Sequence, residues 1–284
     1  MSVRIIVDSS TDVGERDREK IRFVPLMVRF GEAEYFDGVD LSKQEFYEKL
    51  VESDALPTTS QATPAMFEKQ YREVAAAGDS AVVITLSSRL SGTYQSAVLA
   101  AEGYEDIYVV DSLSVAIGAG VLAQYGVRLA EAGRSAKEIA ACLTKMRQDV
   151  CVIALLDTLE YLKKGGRISR TVAFAGGVLN IKPVVTVQDG EVALIGKARG
   201  SRNGNNLLVE KINQAGGVDF DRPLLLGYTG LSAALLEKYV EDSKALWEGH
   251  VDSLEKCLLC SVIGTHVGPG AVAVAFFRNG PAVL

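Results

Sequence analysis

Two histidines occur in the 284 residues, and one of them, His266, stands in "GTHVGPGAVAVAFF" (264–277). Histidine is the side chain whose charge changes most readily near neutral pH. Here it is set among Gly264, Gly268, Pro269 and Gly270, just ahead of an apolar run that reads as a strand. Such a backbone is either a tight turn that leaves a polar ring in water or a support that brings the ring to a ligand. A second candidate is "SGT" (91–93), which follows an apolar strand-like run and opens a helical pattern. The first amides of a helix lack internal partners and carry the positive end of its dipole, so they suit an anion. Ser91 offers a hydroxyl there, and Gly92 lets a ligand approach the backbone. The alternative use of Ser91 is a plain N-cap. A third cluster is "LPTTSQ" (56–61), where three hydroxyls and an amide, including Thr59 and Ser60, fall between two helical segments. It serves as a polar connector or as part of the same site. Arg167 and Arg170, with Arg199 and Arg202 in "GKARGSRNG", form a basic group suited to a carboxylate, a phosphate or a partner surface, or simply to water.

The elements that must position these groups alternate in the first half. "VRIIV" (3–7), "AVVITL" (81–86), "IYVV" (107–110) and "CVIALL" (151–156) are short apolar runs without polar alternation, as expected of parallel strands covered on both faces. Helices fall between most of them. Ser42 and Glu45 make a capping box, Thr63-Pro64 an N-cap with proline at the first position, and "SGTYQSAVLAAEG" a third start. Strand–helix–strand alternation predicts an open, mostly parallel α/β sheet over residues 1–158. A hairpin over 23–38 is expected to leave it and extend toward the second domain. Ligands of such sheets bind beyond the carboxyl ends of the strands. Asp8-Ser9-Ser10-Thr11, "SSRLSGT" and Asp111-Ser112 stand at those ends.

The second half, 159–284, reads as an α+β domain with a mixed or antiparallel sheet. "IKPVVTVQDGEVALIGKA" is two strands joined by an Asp-Gly turn. Helices are expected near 202–215 and 232–244, and strands at "PLLLGYT", 257–263 and 271–277. "LEYLKKGGRIS" (159–169) marks the boundary, and a ligand is expected between the two domains.

Composition narrows the function. Apolar residues make up 48% and charged residues 23%, with a net charge of −6. That is ordinary for a globular protein and unfavourable for nucleic acid, which selects basic surfaces. No apolar run reaches the ~18 residues of a membrane span, and no leader pattern opens the chain. Four cysteines are too few for a disulfide framework, so a reducing cytoplasm is the expected compartment. "CLLC" (257–260) lies in a strand-like run, where positions three apart face opposite sides, and no second pair completes a zinc site. These thiols read as buried apolar groups. A P-loop and a nucleophile elbow are absent, and "GAGVLA" (118–123) lies within a helical pattern instead of after a strand. No metal or cofactor is expected.

The ordered set "VDSSTD", "TSQ", "LSGTYQSA", "VVDS", "YLKKGGRIS", "IKPVV", "GKARG" and "THVGPGAVAVAF" resembles the DegV family across nearly the whole chain. That resemblance implies a bacterial fatty-acid-binding protein. It implies a long-chain fatty acid held in a tunnel between two domains and presented to a separate, ATP-dependent fatty acid kinase. The product would be an acyl phosphate for phospholipid synthesis. Carried onto this chain, it places Thr59, Ser60, Ser91, the Gly92 amide and His266 at the carboxylate, and Arg167, Arg199 and Arg202 at the kinase-docking face. Ala62 follows "TSQ" where the family usually has proline. The segments "SVAIGAGVLA" and "FAGGVL" (174–179) would line the tunnel or pack helices tightly.

Two other classes compete with the carrier. One is a serine acyl hydrolase or acyltransferase, with Ser91 as nucleophile, His266 as base and Asp8 or Asp111 as orienter. The other is a binding module for a different small carboxylate or phosphate.

Overall fold

A computed structural model describes residues 2–53, 55–168 and 180–280. Thirteen strands are distributed over three sheets. The first sheet has four strands, β1 (Val3–Asp8), β2 (Ile21–Val24), β6 (Ser80–Thr85) and β7 (Ile107–Asp111), in the order β2-β1-β6-β7. All its pairings are parallel. β6 is buried at every position, which accounts for the absence of polar alternation in "AVVITL". The second sheet is mixed and has six strands: β8 (Val150–Leu155), β9 (Ile181–Gln188), β10 (Glu191–Arg199), β11 (Leu225–Tyr228), β12 (Lys256–Leu258) and β13 (Val272–Phe277). Its order is β10-β9-β8-β13-β11-β12, antiparallel except between β11 and β12. The third sheet is small and antiparallel, with β3 (Met27–Phe30) between β4 (Ala33–Phe36) and β5 (Thr58–Ser60).

Eleven α-helices join these strands among the described residues: α1 (Glu15–Arg18), α2 (Lys43–Glu52), α3 (Pro64–Ala76), α4 (Thr93–Ala100), α5 (Ile117–Glu131), α6 (Ala136–Met146), α7 (Glu160–Lys164), α8 (Ser201–Gln214), α9 (Ala234–Asp242), α10 (Lys244–Trp247) and α11 (Ser261–Val267). The Ser42–Glu45 capping box is formed at α2. Proline opens α3 after Thr63, whose side chain makes no capping bond. Helix α5 touches β1 and β6 on the parallel sheet and β8, β11 and β13 on the mixed one. It is therefore apolar nearly all round, as a helix between two layers must be. Its glycines serve that packing: a Cβ on Gly120 would fall 1.9 Å from the Asp12 carbonyl oxygen. Helices α8 and α9 cover the other face of the mixed sheet, over a core that includes Leu208, Ile212, Tyr239 and Phe276.

Three local expectations change. The run "CVIALL", expected as a fourth strand of the first sheet, is β8 of the second, paired antiparallel with β9 and β13. An apolar run signals burial on two faces, and both sheets offer that, so the pattern does not choose between them. The hairpin expected over 23–38 is narrower, β3–β4, because Ile21–Val24 pairs with β1 instead. The strand expected over 257–263 stops at Leu258, and Ser261–Val267 is helical. The helix start is capped from far away. The Asp12 carboxylate accepts from the Cys260 amide at 3.1 Å, and the Asp37 carboxylate accepts from the Ser261 amide at 3.1 Å. Carboxylates at these orphan amides outweigh the β-branched residues Val262 and Ile263.

Candidate functional site

A cavity lies between the parallel sheet, the mixed sheet and α11, with about 940 Å³ between its lining atoms, open mouth included. Its walls are aliphatic. Leu86 and Leu90 come from the chain after β6, Val115 and Ala116 from the approach to α5, Val152 and Ala154 from β8, Val185 and Val187 from β9, and Val262 and Ile263 from α11. Apart from Thr186 of β9, whose hydroxyl donates to the Val152 carbonyl at 2.8 Å, the polar residues gather where β5, the start of α4, α11 and the end of α7 converge. Thr59, Ser60, Gln61, Ser91, Arg167 and His266 all line the cavity there.

Thr59 and His266 make the central contact of this end, with Thr59 Oγ1 2.8 Å from His266 Nε2. His266 is carried by the last turn of α11, not by a turn before a strand as its glycine-rich surroundings suggest. Its other ring nitrogen, Nδ1, is buried without a hydrogen-bond partner. A Cβ on Gly165 would lie 2.4 Å from Nδ1, so α7 can approach the ring only because residue 165 is glycine. Burial, with a smaller contribution from the neighbouring Arg167 guanidinium, pushes the His266 pKa down to about 4. The ring is neutral at pH 7.

Arg167 supplies the positive charge at this end. Its Nη1 donates to the Gly165 carbonyl at 2.6 Å and its Nε to the Leu90 carbonyl at 3.3 Å. Both partners are neutral, so the guanidinium keeps its charge for a ligand. Arg167, Thr59 and His266 also line an adjoining outer chamber with Thr58, Tyr161, Lys164 and Thr265. Among the described residues that chamber is lined by two cationic side chains and no carboxylate, in a chain whose net charge is −6.

Ser91 stands one residue ahead of the helix start. The N-cap of α4 is Gly92, and Ser91 Oγ lies 2.9 Å from Thr93 Oγ1 and accepts from the Thr93 amide at 3.3 Å. Gly92 itself does not line the cavity. It packs against Gln61, which does. The carboxylates at the strand ends are engaged with backbone. Asp8 accepts from the Ser10 amide and hydroxyl and from the Leu86 amide, and Asp111 accepts from the Ser88 and Leu113 amides. Neither bonds His266, and His266 bonds Thr59, not Ser91. A serine–histidine–aspartate relay is not assembled.

Of the basic group's described members, Arg167 alone reaches the cavities. Arg199 ends β10 and Arg202 opens α8, both exposed and lining neither chamber. Arg170 and the "FAGGVL" segment lie outside the described residues. From "SVAIGAGVLA", Val115 and Ala116 line the cavity, and the remainder is mostly tight packing around α5. The four cysteines are free. Cys257 and Cys260 are buried, and burial pushes both thiols well above the usual range. Two contributors were not singled out from sequence. Lys164 belongs to the same "KKGGR" run as Arg167, and Gln61 is the amide of the "TTSQ" cluster. Both stood beside residues already marked. Among the described residues no helix is long and apolar enough to cross a membrane, and no group of three metal-ligating side chains occurs.

The family model described as "Uncharacterised protein, DegV family" matches residues 2–279. The chain belongs to the DegV family. A DegV domain-containing protein of Caldanaerobacter subterraneus is 35% identical over 283 residues, covering 96% of this chain and 98% of its own. A DegV family protein from Thermus thermophilus, solved in a study of its fatty acid binding, is 32% identical with a TM-score of 0.85, covering 98% of this chain and 100% of its own. A DegV lipid-binding protein from Thermotoga maritima is 30% identical with a TM-score of 0.85, covering 97% and 98%. The two-domain α/β architecture is thus that of DegV proteins.

Proposed function

We propose that this DegV protein is a non-catalytic carrier. It holds one long-chain fatty acid in the aliphatic cavity and presents the carboxylate at the Thr59–His266 end to a separate, ATP-dependent fatty acid kinase. The observation that carries this reading is the polarity of the cavity: mostly aliphatic walls, where the Thr186 hydroxyl is taken up by the Val152 carbonyl, and a group of hydroxyls, one neutral imidazole and one guanidinium around Thr59 and His266. An acyl chain gains about 0.8 kcal/mol for each CH₂ removed from water, and a carboxylate gains from charge-assisted bonds. A small carboxylate or phosphate would leave most of the aliphatic wall unused. The Thermus and Thermotoga relatives, described as fatty-acid- and lipid-binding, support the same ligand class.

The carboxylate contacts in this reading are Thr59, Ser60, Ser91 and His266, with Arg167 as counter-ion; the Gly92 amide expected from sequence is not among them, because Gln61 covers that residue. The outer chamber, lined by Lys164 and Arg167, is where the head group would meet the kinase and where a growing phosphoryl charge would be tolerated. Arg199 and Arg202, exposed outside the chambers, would bear on the docked kinase. The compartment in this reading is the cytoplasm, where a kinase finds ATP and where free thiols persist.

Native mass spectrometry of the protein as purified tests the ligand. Retention of roughly one fatty acid, released intact on denaturation, is the expected result. A protein that is isolated empty and whose melting temperature ignores added fatty acid would sink the proposal. Acyl phosphate should form only when ATP and a fatty acid kinase are both added.

A further inference from the structure

Strand β5 reaches two partners from one face. Residues two apart on a strand share a side, so Thr59 and Gln61, just beyond the strand end, point the same way. Thr59 meets His266 on α11. Gln61 meets α4, where its Nε2 donates to Ser96 Oγ at 3.1 Å. The rest of the amide lies on Gly92, and a Cβ on that residue would fall 2.2 Å from Gln61 Oε1. Gly92 has φ −73, which any residue adopts, so the space above it, not its backbone, is what glycine provides there. Both groups that Gln61 grips belong to the start of α4. Ser96 is in its first turn and closes that turn through its amide to the Gly92 carbonyl at 3.0 Å. Ser91 immediately precedes it.

We propose that Gln61 is the positioning residue of the head-group end. Lying across Gly92 and bonded to Ser96, it fixes the separation between the hydroxyls of β5 and that of Ser91, so that both sets converge on one carboxylate. β5 is an edge strand of the smallest sheet, paired only with β3. Beyond the β5 end, the chain continues through Ala62 and Thr63 into α3, which packs on α4, and Gln61 is the side chain that bridges from that strand end to the α4 start. The role rests on the carboxylate-binding reading above. It makes Gly92 and Gln61 one unit: a methyl group at residue 92 and loss of the amide at residue 61 undo the same contact.

The test compares a long-chain fatty acid with the fatty alcohol of equal length, which fills the same cavity without a carboxylate. Gln61→Met keeps the bulk of the side chain and removes the amide, and Gln61→Ala removes both. Each is expected to weaken fatty acid binding roughly three- to tenfold, the scale of one hydrogen bond, and to leave the alcohol within about twofold. Gly92→Ala should reproduce that pattern, and the Gly92→Ala/Gln61→Met double variant should be no weaker than the worse single one. Equal losses for acid and alcohol would reduce Gln61 to a general packing role and overturn the proposal. So would additive losses, or unchanged acid affinity in Gln61→Met. Wild-type protein that binds neither lipid would overturn the carboxylate reading with it.

Discussion

Thr59 Oγ1 and His266 Nε2 lie 2.8 Å apart although 207 residues separate them in the chain. The bond ties the edge strand of the small sheet to the last turn of α11, across the polar end of the aliphatic cavity. It also joins two of the three residues that line both the inner cavity and the outer chamber, the third being Arg167. The chemistry of the site turns on how this pair is held.

Acidification should bring out the neutral state of His266. Its pKa, ordinarily 6.5, is pushed down to about 4 by burial. Between those values the unfolded chain holds a proton that the folded one does not, so this group's contribution to stability is lost as pH falls from about 6.5 toward 4. Asp8 acts with the opposite sign. Burial raises it from 3.8 to about 6, so the folded state takes the proton first and gains stability as pH falls through that range. In urea melts of fatty-acid-free protein, His266→Gln should lose less stability than wild type on going from pH 7 to pH 4.5, and Asp8→Asn should lose more. A His266→Gln profile parallel to wild type would show that the ring is not held neutral by burial.

Gly165→Ala should act through His266. Residue 165 has φ −72 and ψ −12, which alanine accepts, but its Cβ would stand 2.4 Å from Nδ1. The ring must move, and the Thr59 bond goes with it. The expected loss of fatty acid affinity is roughly tenfold, similar to His266→Ala, with no further loss in the double variant. Isothermal titration on the three proteins decides this, and additive losses would mean that Gly165 acts elsewhere.

Ser91→Ala should weaken fatty acid binding roughly ten- to a hundredfold, the value of a charge-assisted bond of about 1.5–3 kcal/mol. Ser91 should form no covalent adduct with a fluorophosphonate or an activated ester, because no base is bonded to it. A stoichiometric mass increase mapped to Ser91 would replace the carrier reading with an acyl-enzyme.

The three arginines should separate by assay. Arg167→Gln removes the cation at the head group and should lower fatty acid affinity by roughly tenfold or more. Arg199→Glu and Arg202→Glu, both remote from the cavities, should leave that affinity unchanged and slow acyl phosphate formation by the kinase. Binding measured by tryptophan-independent titration, beside turnover with ATP and kinase, distinguishes the two effects. A loss of lipid binding in Arg199→Glu would count against a docking role.

By itself the chain determined its periodicities and its punctuation. "AVVITL" is a buried strand because no polar alternation allows a wet face, and "IYVV", at the sheet edge, is buried at Ile107 and Val110 and half-buried between them. Ser42 and Glu45 cap α2 because that contact spans three residues, and "QDGE" turns β9 into β10 for the same local reason. The residues of "TSQ", "LSGT", "KKGGR" and "THVG" were legible as polar groups set against apolar runs, and six of them, Thr59, Ser60, Gln61, Ser91, Arg167 and His266, line one cavity. What only the tertiary structure decided depends on groups far apart in sequence. "CVIALL" joined the mixed sheet because β13 and β9 pair with it there. "SVIGTHV" became helical because Asp12 and Asp37, more than two hundred residues earlier, satisfy its first amides. The depressed pKa of His266 and the clearance at Gly165 and Gly92 likewise exist only once α7, α11, β5 and α4 are brought together. Burial, and the distance between two distant side chains, are properties of the packed chain, and no short window of residues carries them.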